Sequence, residues 1–120
     1  MRPARLFAAV VLLGGLVAGC TEEAVPEFPP GTTMARLQQA GTITVGVKFD
    51  QPGVGFRNLA TGKLEGFDIE MAKLVATRLG LDTDDIRWVQ AVSKDRVGFV
   101  QSGKVDIAIA SFSITRERSA

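Results

Sequence analysis

Three short stretches of the sequence combine cationic side chains with hydroxyl groups. Lys48 follows one apolar segment, Ser93 and Arg96 follow a second, and the run from Ser111 to Arg118 follows a third. Arginine presents a planar fork of N–H donors and lysine a compact positive charge, and both suit carboxylate or phosphate ligands. The hydroxyls stand near predicted helix starts, where free backbone N–H groups also favour anions. These residues therefore indicate a pocket for carboxylates or phosphate.

The composition removes most catalytic alternatives. The chain of 120 residues has no histidine, no tyrosine and one cysteine, which excludes Ser-His-Asp and Cys-His catalysis, His- or Cys-based zinc sites and an intrachain disulfide. Asp68 and Glu70 are the one pair of carboxylates close enough in sequence to suggest catalysis, but the side chains at positions i and i+2 of a helix point apart and do not share a site. The residue types leave carboxylate chemistry, lysine chemistry or plain ligand binding. Of these we expect ligand binding, with no catalytic residue, no metal and no cofactor.

The net charge gives no reason to expect a nucleic-acid partner. Lysine and arginine number 14 against 13 aspartates and glutamates, a formal charge of +1, so no basic surplus attracts a phosphate backbone. With 46% apolar and 22% charged residues, the chain has the composition of one ordinary globular domain and is too short for two well-packed ones.

The first twenty residues have the pattern of an export signal. Arg2 and Arg5 precede an apolar run, Leu6–Ala18, whose ~20 Å helical length is short of the ~30 Å hydrocarbon core of a bilayer. A signal peptide is therefore favoured over a transmembrane helix. The small residues directly before Cys20 resemble the lipobox of bacterial lipoproteins, in which the cysteine is acylated and becomes the new N-terminus.

This pattern predicts three segments: a lipoprotein signal peptide over 1–19, an acylated Cys20 with a flexible tether over 20–31, and a folded part over 32–120. Thr21–Pro30 contains three acids and three prolines without periodicity, which is typical of an extended, solvated tether. The lipid would hold the protein on the outer face of the cytoplasmic membrane.

The apolar periodicity of the folded part predicts alternating strands and helices. Strands are predicted over Ile43–Val47, Ile86–Val92 and Val105–Ala110, with the third buried on both faces. Helices are predicted over Thr32–Ala40, over Asp68–Leu79 with Asp68 as N-cap, and from a Ser93 cap to Gly103, and a small hairpin turns at Thr61-Gly62. This order implies an α/β fold with a parallel sheet and right-handed crossovers. In such sheets ligands bind beyond the carboxyl ends of the strands.

The last residues predict a continuation. Thr115 offers a capping hydroxyl to a new helix start only five residues before Ala120. A parallel sheet of only three strands is too small to be well covered on both faces, so we expect the chain to be the N-terminal fragment of a longer protein.

Two motifs resemble the family 3 solute-binding proteins, the polar amino-acid receptors of bacterial ABC importers. They are Gly66–Met71 with the apolar positions that follow it, and Val105–Arg118, a strand followed by a Thr-x-x-Arg clamp. The stretch Gly46–Gly53 is most similar to the glutamate-binding lipoproteins of actinobacteria. The resemblance implies a periplasmic-binding-protein-like fold, of which this chain holds the parallel sheet of lobe one. It also implies ligand capture by closure of two lobes and delivery to the membrane subunits of an ABC permease.

The resemblance also implies roles for individual residues. Arg118 would pair with the α-carboxylate of the ligand, helped by Ser113 and Ser111. Lys48, Ser93 and Arg96 stand at positions that hold the second carboxylate in relatives that bind glutamate or aspartate. The ligand implied is therefore glutamate, with aspartate and glutamine left open.

Other interpretations stay open at this point. Solvated surface positions are also compatible with the types of Lys48, Arg96 and Arg118. The same fold carries enzymes, namely cyclohexadienyl dehydratases and a domain attached to transglycosylases, and it carries ligand-sensing domains of membrane receptors. A lipid anchor argues against a sensor, because acylation provides no connection across the membrane.

Overall fold

The computed structural model describes residues 24–119, which form an α/β fold with a parallel sheet at its centre. The predicted signal peptide and Cys20 lie outside the described residues. The helices are α1 (Thr33–Ala40), α2 (Phe67–Arg78) and α3 (Arg96–Gln101), with 3-10 turns at Thr83–Asp85 and Arg116–Arg118. The strands are β1 (Ile43–Val47), β2 (Asp50–Gln51), β3 (Gly55–Arg57), β4 (Leu64–Glu65), β5 (Ile86–Gln90) and β6 (Ile107–Ala108).

The parallel sheet has the strand order β5-β1-β6, so β1 is its central strand. Ile43 pairs with Ile86 at the start of β1, and Val45 lies between Trp88 on one side and Ile107 on the other. The side chains of Ile43, Val45 and Val47 are fully buried. The predicted parallel α/β architecture is confirmed, and it places the carboxyl ends of three strands at one edge.

Helix α2 covers one face of this sheet. Ile69, Ala72 and Ala76 are buried in a core cluster shared with β1, and their spacing of three to four residues is the one that places side chains on one helix face. Leu37 brings α1 into the same cluster. Thr32 accepts a hydrogen bond from the Ala35 amide (3.2 Å), and Gly41 ends α1 with φ 64°, as the sequence predicts.

A second, antiparallel sheet joins β2, β3 and β4 in that order. The predicted hairpin is present between β3 and β4, where Asn58 Oδ1 accepts from the amides of Ala60 and Thr61 and the Gly62 amide donates to Asn58 O. Strand β2 is not predicted, because two residues carry no period and this pairing depends on β3.

The start of α2 differs from the prediction that Asp68 is its N-cap. The helix begins at Phe67, and Gly66 holds the cap position with φ 123° and no side-chain hydrogen bond. The amides of Phe67 and Asp68 donate instead to the carbonyls of Gly53 (3.1 Å) and Val54 (2.8 Å). The preceding loop therefore caps the helix, and Asp68 lies inside the first turn, where it is buried.

Gly66 cannot carry a side chain in this conformation. A Cβ there would clash with the carbonyl oxygen of Val54 and lie 2.6 Å from its carbonyl carbon. Gly62 has φ 72° in the hairpin, but no atom lies within 4 Å of a Cβ at that position.

The predictions for the third strand and for the Ser93 cap are also wrong in part. Strand β6 is short and half-buried, because among residues 24–119 it pairs with β1 on one side only. Helix α3 has Asp95 at its N-cap position, without a side-chain hydrogen bond. The hydroxyl of Ser93 instead accepts from Arg96.

Residues 24–31 precede α1 without helix or strand, and part of this segment packs on the fold. Phe28 packs against the core cluster, and a Cβ on Gly80 would lie 2.6 Å from Val25 Cγ1. Gln38 Nε2 donates to the carbonyls of Pro26 (3.4 Å) and Leu79 (3.1 Å). None of the helices within 24–119 has the length and apolarity needed to cross a membrane.

Candidate ligand-binding site

The parallel sheet brings the three predicted cationic segments to one edge. Beyond β5, the Ala91 amide donates to Val47 O (2.9 Å), and beyond β6 the Ile109 amide donates to Gly46 O (2.9 Å). The chain therefore leaves β1, β5 and β6 side by side. Lys48 follows β1, Ser93 and Arg96 follow β5, and Ser111, Ser113 and Arg118 follow β6.

Arg96 is the buried centre of this edge. Only 5% of the residue is exposed, so the interpretation of Arg96 as a surface residue is excluded. Its Nη2 donates to Ser93 Oγ at 2.7 Å and its Nη1 donates to the carbonyl of Ser111. One guanidinium thus links the segment after β5 to the segment after β6, and its orientation is fixed from two sides.

Arg118 lies in the exposed 3-10 turn that ends the described chain. Its Nη1 donates to the carbonyl of Ser113 at 2.9 Å. The Arg118 guanidinium carbon is 5.5 Å from the centre of the Phe112 ring, and the corresponding carbon of Arg96 is 4.8 Å from the same centre. Phe112 therefore contacts both guanidinium groups, which holds the two cations on one ring.

Lys48 already has an acidic neighbour. Its Nζ lies 3.0 Å from Asp50 Oδ1, with the lysine side chain 18% exposed and the aspartate side chain 61% exposed. The exposed aspartate remains largely hydrated, so this pair is weak and its geometry adjustable. The ammonium group of Lys48 can thus also form an ion pair with a ligand carboxylate.

The three predicted serines contact the arginines in different ways. Ser93 accepts through its hydroxyl, whereas Ser111 and Ser113 accept through their backbone carbonyls. The side chains of Ser111 and Ser113 are solvent exposed. Their hydroxyls are therefore available to a ligand, while their backbones orient Arg96 and Arg118.

Asp68 belongs to this charge arrangement, although the sequence analysis assigned it a capping role. It is 5% exposed, and its Oδ2 is buried without a hydrogen-bond partner. Burial raises the pKa of Asp68 above its ordinary value of 3.8, and the positive charge of Arg96 opposes that rise. Asp68, Ala72 and Ala76 are spaced by four residues, and this spacing is the signal in the sequence that could have identified Asp68 as a residue of the buried face of α2.

The site as a whole offers hydrogen-bond donors and positive charge at the carboxyl edge of the parallel sheet. Within residues 24–119, no three His, Cys, Asp or Glu side chains are grouped as they would be around a metal ion. The arrangement can bind and orient an anionic group through guanidinium, ammonium and hydroxyl donors.

The chain is similar to known proteins over most of its length. Residues 43–120 match the bacterial extracellular solute-binding proteins, family 3. A glutamine-binding protein of Geobacillus stearothermophilus is 34% identical over 113 residues, covering 85% of this chain and 43% of that protein. A glutamate-binding protein of Corynebacterium glutamicum is 33% identical over 107 residues, covering 86% of this chain and 36% of that protein.

A solved structure shows the same similarity in three dimensions. The solute receptor for L-cysteine of Neisseria gonorrhoeae superposes with a TM-score of 0.65 at 40% identity, covering 73% of this chain and 35% of that receptor. The chain therefore spans about two fifths of the length of these three proteins. It belongs to the bacterial extracellular solute-binding proteins, family 3, and corresponds to an N-terminal part of them.

Proposed function

We propose that the full-length protein captures glutamate, or a close relative of glutamate, outside the cytoplasm and delivers it to an ABC permease. The observation that carries this proposal is the convergence of Lys48, Arg96 and Arg118 at one sheet edge. An amino acid with an acidic side chain carries two carboxylates, and three cations at one sheet edge can pair with both.

Arg118 is the proposed partner of the α-carboxylate. Its guanidinium lies at the exposed end of the site and is oriented by the Ser113 carbonyl and the Phe112 ring. A planar fork of two N–H donors matches the two oxygens of a carboxylate, a geometry that lysine does not reproduce. The exposed hydroxyls of Ser111 and Ser113 supply further donors for the same group.

Lys48, Ser93 and Arg96 are the proposed partners of the second carboxylate. Ser93 is already hydrogen-bonded to Arg96, so the two act as one unit with a fixed orientation. Lys48 approaches from the neighbouring strand, and its weak pair with Asp50 can open to admit a ligand oxygen.

The matched relatives support the class of ligand more than its identity. Their names specify glutamine, glutamate and cysteine, which are all amino acids, and they describe binding proteins and receptors. This favours capture over the alternatives of an enzyme on the same fold or a sensor domain. Aspartate and glutamine are the competing ligands.

Lipid anchoring is the second part of the proposal. The lipobox-like sequence ending at Cys20 supports lipidation of this cysteine and anchoring on the outer face of the cytoplasmic membrane, with the permease subunits as partners. Metabolic labelling with a radioactive fatty acid tests it. Label in the parent that is lost in Cys20→Ala is expected, and label that persists in Cys20→Ala would contradict the anchor.

The binding function is tested by calorimetric titration of the purified full-length mature protein with the twenty common amino acids. The expected result is saturable binding of glutamate that exceeds the binding of neutral aliphatic amino acids by tenfold or more. Saturable binding confined to amino acids without a polar side chain would overturn the assignment of Lys48 and Arg96. An absence of binding to every amino acid would overturn the function.

A further inference from the structure

The ring of Phe112 contacts two arginines of the candidate site. The guanidinium carbon of Arg96 lies 4.8 Å from the ring centre, and that of Arg118 lies 5.5 Å from it. Both distances are within the ~6 Å over which an aromatic ring attracts a cation. One uncharged side chain therefore joins the proposed partner of the α-carboxylate to a proposed partner of the second carboxylate.

The two arginines differ in how firmly they are held. Arg96 is 5% exposed, and two hydrogen bonds fix its guanidinium to the segments after β5 and β6. Arg118 is exposed, and its guanidinium donates to the carbonyl of Ser113 at 2.9 Å. Binding is weakened when a ligand has to order a long side chain, so the contact of Arg118 with the Phe112 ring matters more than the corresponding contact of Arg96.

We propose that Phe112 is a positioning residue whose ring transmits the fixed position of Arg96 to Arg118 and thereby sets the spacing between the partners of the two ligand carboxylates. This inference rests on the proposed function, in which Arg118 and Arg96 bind different carboxylates of one ligand. An aromatic ring suits this role, because its π electrons attract both guanidinium groups without neutralising either charge. An acidic side chain in the same place would pair with the arginines and compete with the ligand.

A fixed spacing gives selectivity for the length of the ligand. Aspartate and glutamate carry the same two carboxylates, but one methylene group changes the distance between them. Arginines held at one spacing bind one of these ligands better, because the other leaves a charged group poorly paired. Without the ring Arg118 can follow either ligand, and the preference should diminish.

The test compares Phe112→Leu with Phe112→Tyr and Phe99→Leu in the full-length protein. Leucine keeps an apolar side chain without the ring, whereas tyrosine keeps the ring. Phe99 lies on α3, and its ring centre is 3.8 Å from Nζ of Lys104, so Phe99→Leu removes a ring from a cation outside the candidate site. Phe112 is 43% exposed, and its variants should therefore fold, which thermal unfolding verifies.

Calorimetric titration with glutamate and aspartate gives the two dissociation constants. Phe112→Leu should weaken the binding of the preferred ligand about threefold to tenfold, which corresponds to one partly desolvated cation–π contact. The other ligand should lose less, so the ratio of the two constants should move towards one. Phe112→Tyr and Phe99→Leu should leave this ratio within about twofold of the parent value.

A measurement without ligand separates positioning from a general structural role. The NMR order parameter of the Arg118 Nε–H group should fall in Phe112→Leu and should remain at the parent value in Phe112→Tyr and Phe99→Leu. An unchanged order parameter in Phe112→Leu would overturn the proposal.

The binding data can also overturn the proposal. A parent with equal constants for aspartate and glutamate would do so, as would equal changes of the ratio in Phe112→Leu and Phe99→Leu. Failure of the parent to bind either ligand would instead refute the proposed function.

Discussion

Replacing Arg118 by alanine should separate ligand binding from folding. In the absence of ligand, the Arg118 side chain makes one exposed hydrogen bond, to Ser113 O, and lies 5.5 Å from the Phe112 ring centre. Exposed interactions of these two kinds contribute together about 1 to 2 kcal/mol to the free energy of unfolding. The variant should therefore remain folded, with a small decrease in melting temperature.

The effect on binding should be much larger. Closure of the protein around an amino acid would desolvate the pair formed by Arg118 and the α-carboxylate. Removal of one partner of such a pair costs ~2 to 5 kcal/mol, which corresponds to roughly 30-fold to several thousandfold in affinity. The loss should be the same for every amino acid that binds, because all of them carry the α-carboxylate.

Calorimetric titration with glutamate and glutamine measures this loss, and Arg116→Ala is the matched control. Arg116 lies in the same exposed 3-10 turn and carries the same charge, so its removal should change either affinity by less than about twofold. Arg118→Lys should lie between the parent and Arg118→Ala, since the charge remains but the fork is lost. An Arg118→Ala protein that binds glutamate as tightly as the parent would refute the assignment, as would equal losses in the two alanine variants.

Three further predictions concern other residues of the fold and site. Lys48→Gln should weaken the binding of glutamate about threefold to tenfold more than the binding of glutamine, because the charge of Lys48 is only partly balanced. In the control variant Lys94→Gln, which changes an exposed lysine, the ratio of the two affinities should not alter. Equal affinity ratios for the two variants in competition assays would contradict the role of Lys48. Gly66→Ala should lower the free energy of unfolding by about 2 to 5 kcal/mol through backbone strain and a clash with the backbone of Val54. Gly62→Ala should lower it by only about 1 to 2 kcal/mol, because its positive φ is strained but no atom is close. Equal losses in urea denaturation would show that the clash at Gly66 is absent. Asp68→Asn should be at least as stable as the parent at neutral pH. The free energy of unfolding of the parent should rise relative to that of the variant as the pH falls through the raised folded-state pKa of Asp68 towards 3.8, because protonation removes the buried charge. A parent that loses relative stability over that pH interval would contradict the direction of the pKa shift.

The predictable part of the structure was the part that local pattern determines. The alternating residues of Ile43–Val47 specified a strand, and the apolar spacing over 69–79 specified a helix that ends near Gly80. The order of these elements was sufficient to bring Lys48, Arg96 and Arg118 to one edge, since parallel strands share a carboxyl end.

What sequence reasoning missed depends on contacts between distant segments. Asp68 has the type and position of a helix cap, but the helix begins before it, at Phe67, and the amides of Phe67 and Asp68 donate to the carbonyls of the Gly53-Val54 loop. Ser93 likewise has the type of a cap but accepts from Arg96 instead. The burial of Arg96 follows from the approach of the segment after β6, which no local pattern encodes.

A crystal structure of the full-length mature protein with bound glutamate would show directly whether the three cations bind the two carboxylates. We expect both Nη atoms of Arg118 to contact the α-carboxylate, and the side-chain carboxylate to lie within hydrogen-bond distance of Lys48 and of the unit formed by Ser93 and Arg96. Glutamate bound with neither carboxylate at the carboxyl edge of β1, β5 and β6 would contradict this binding mode.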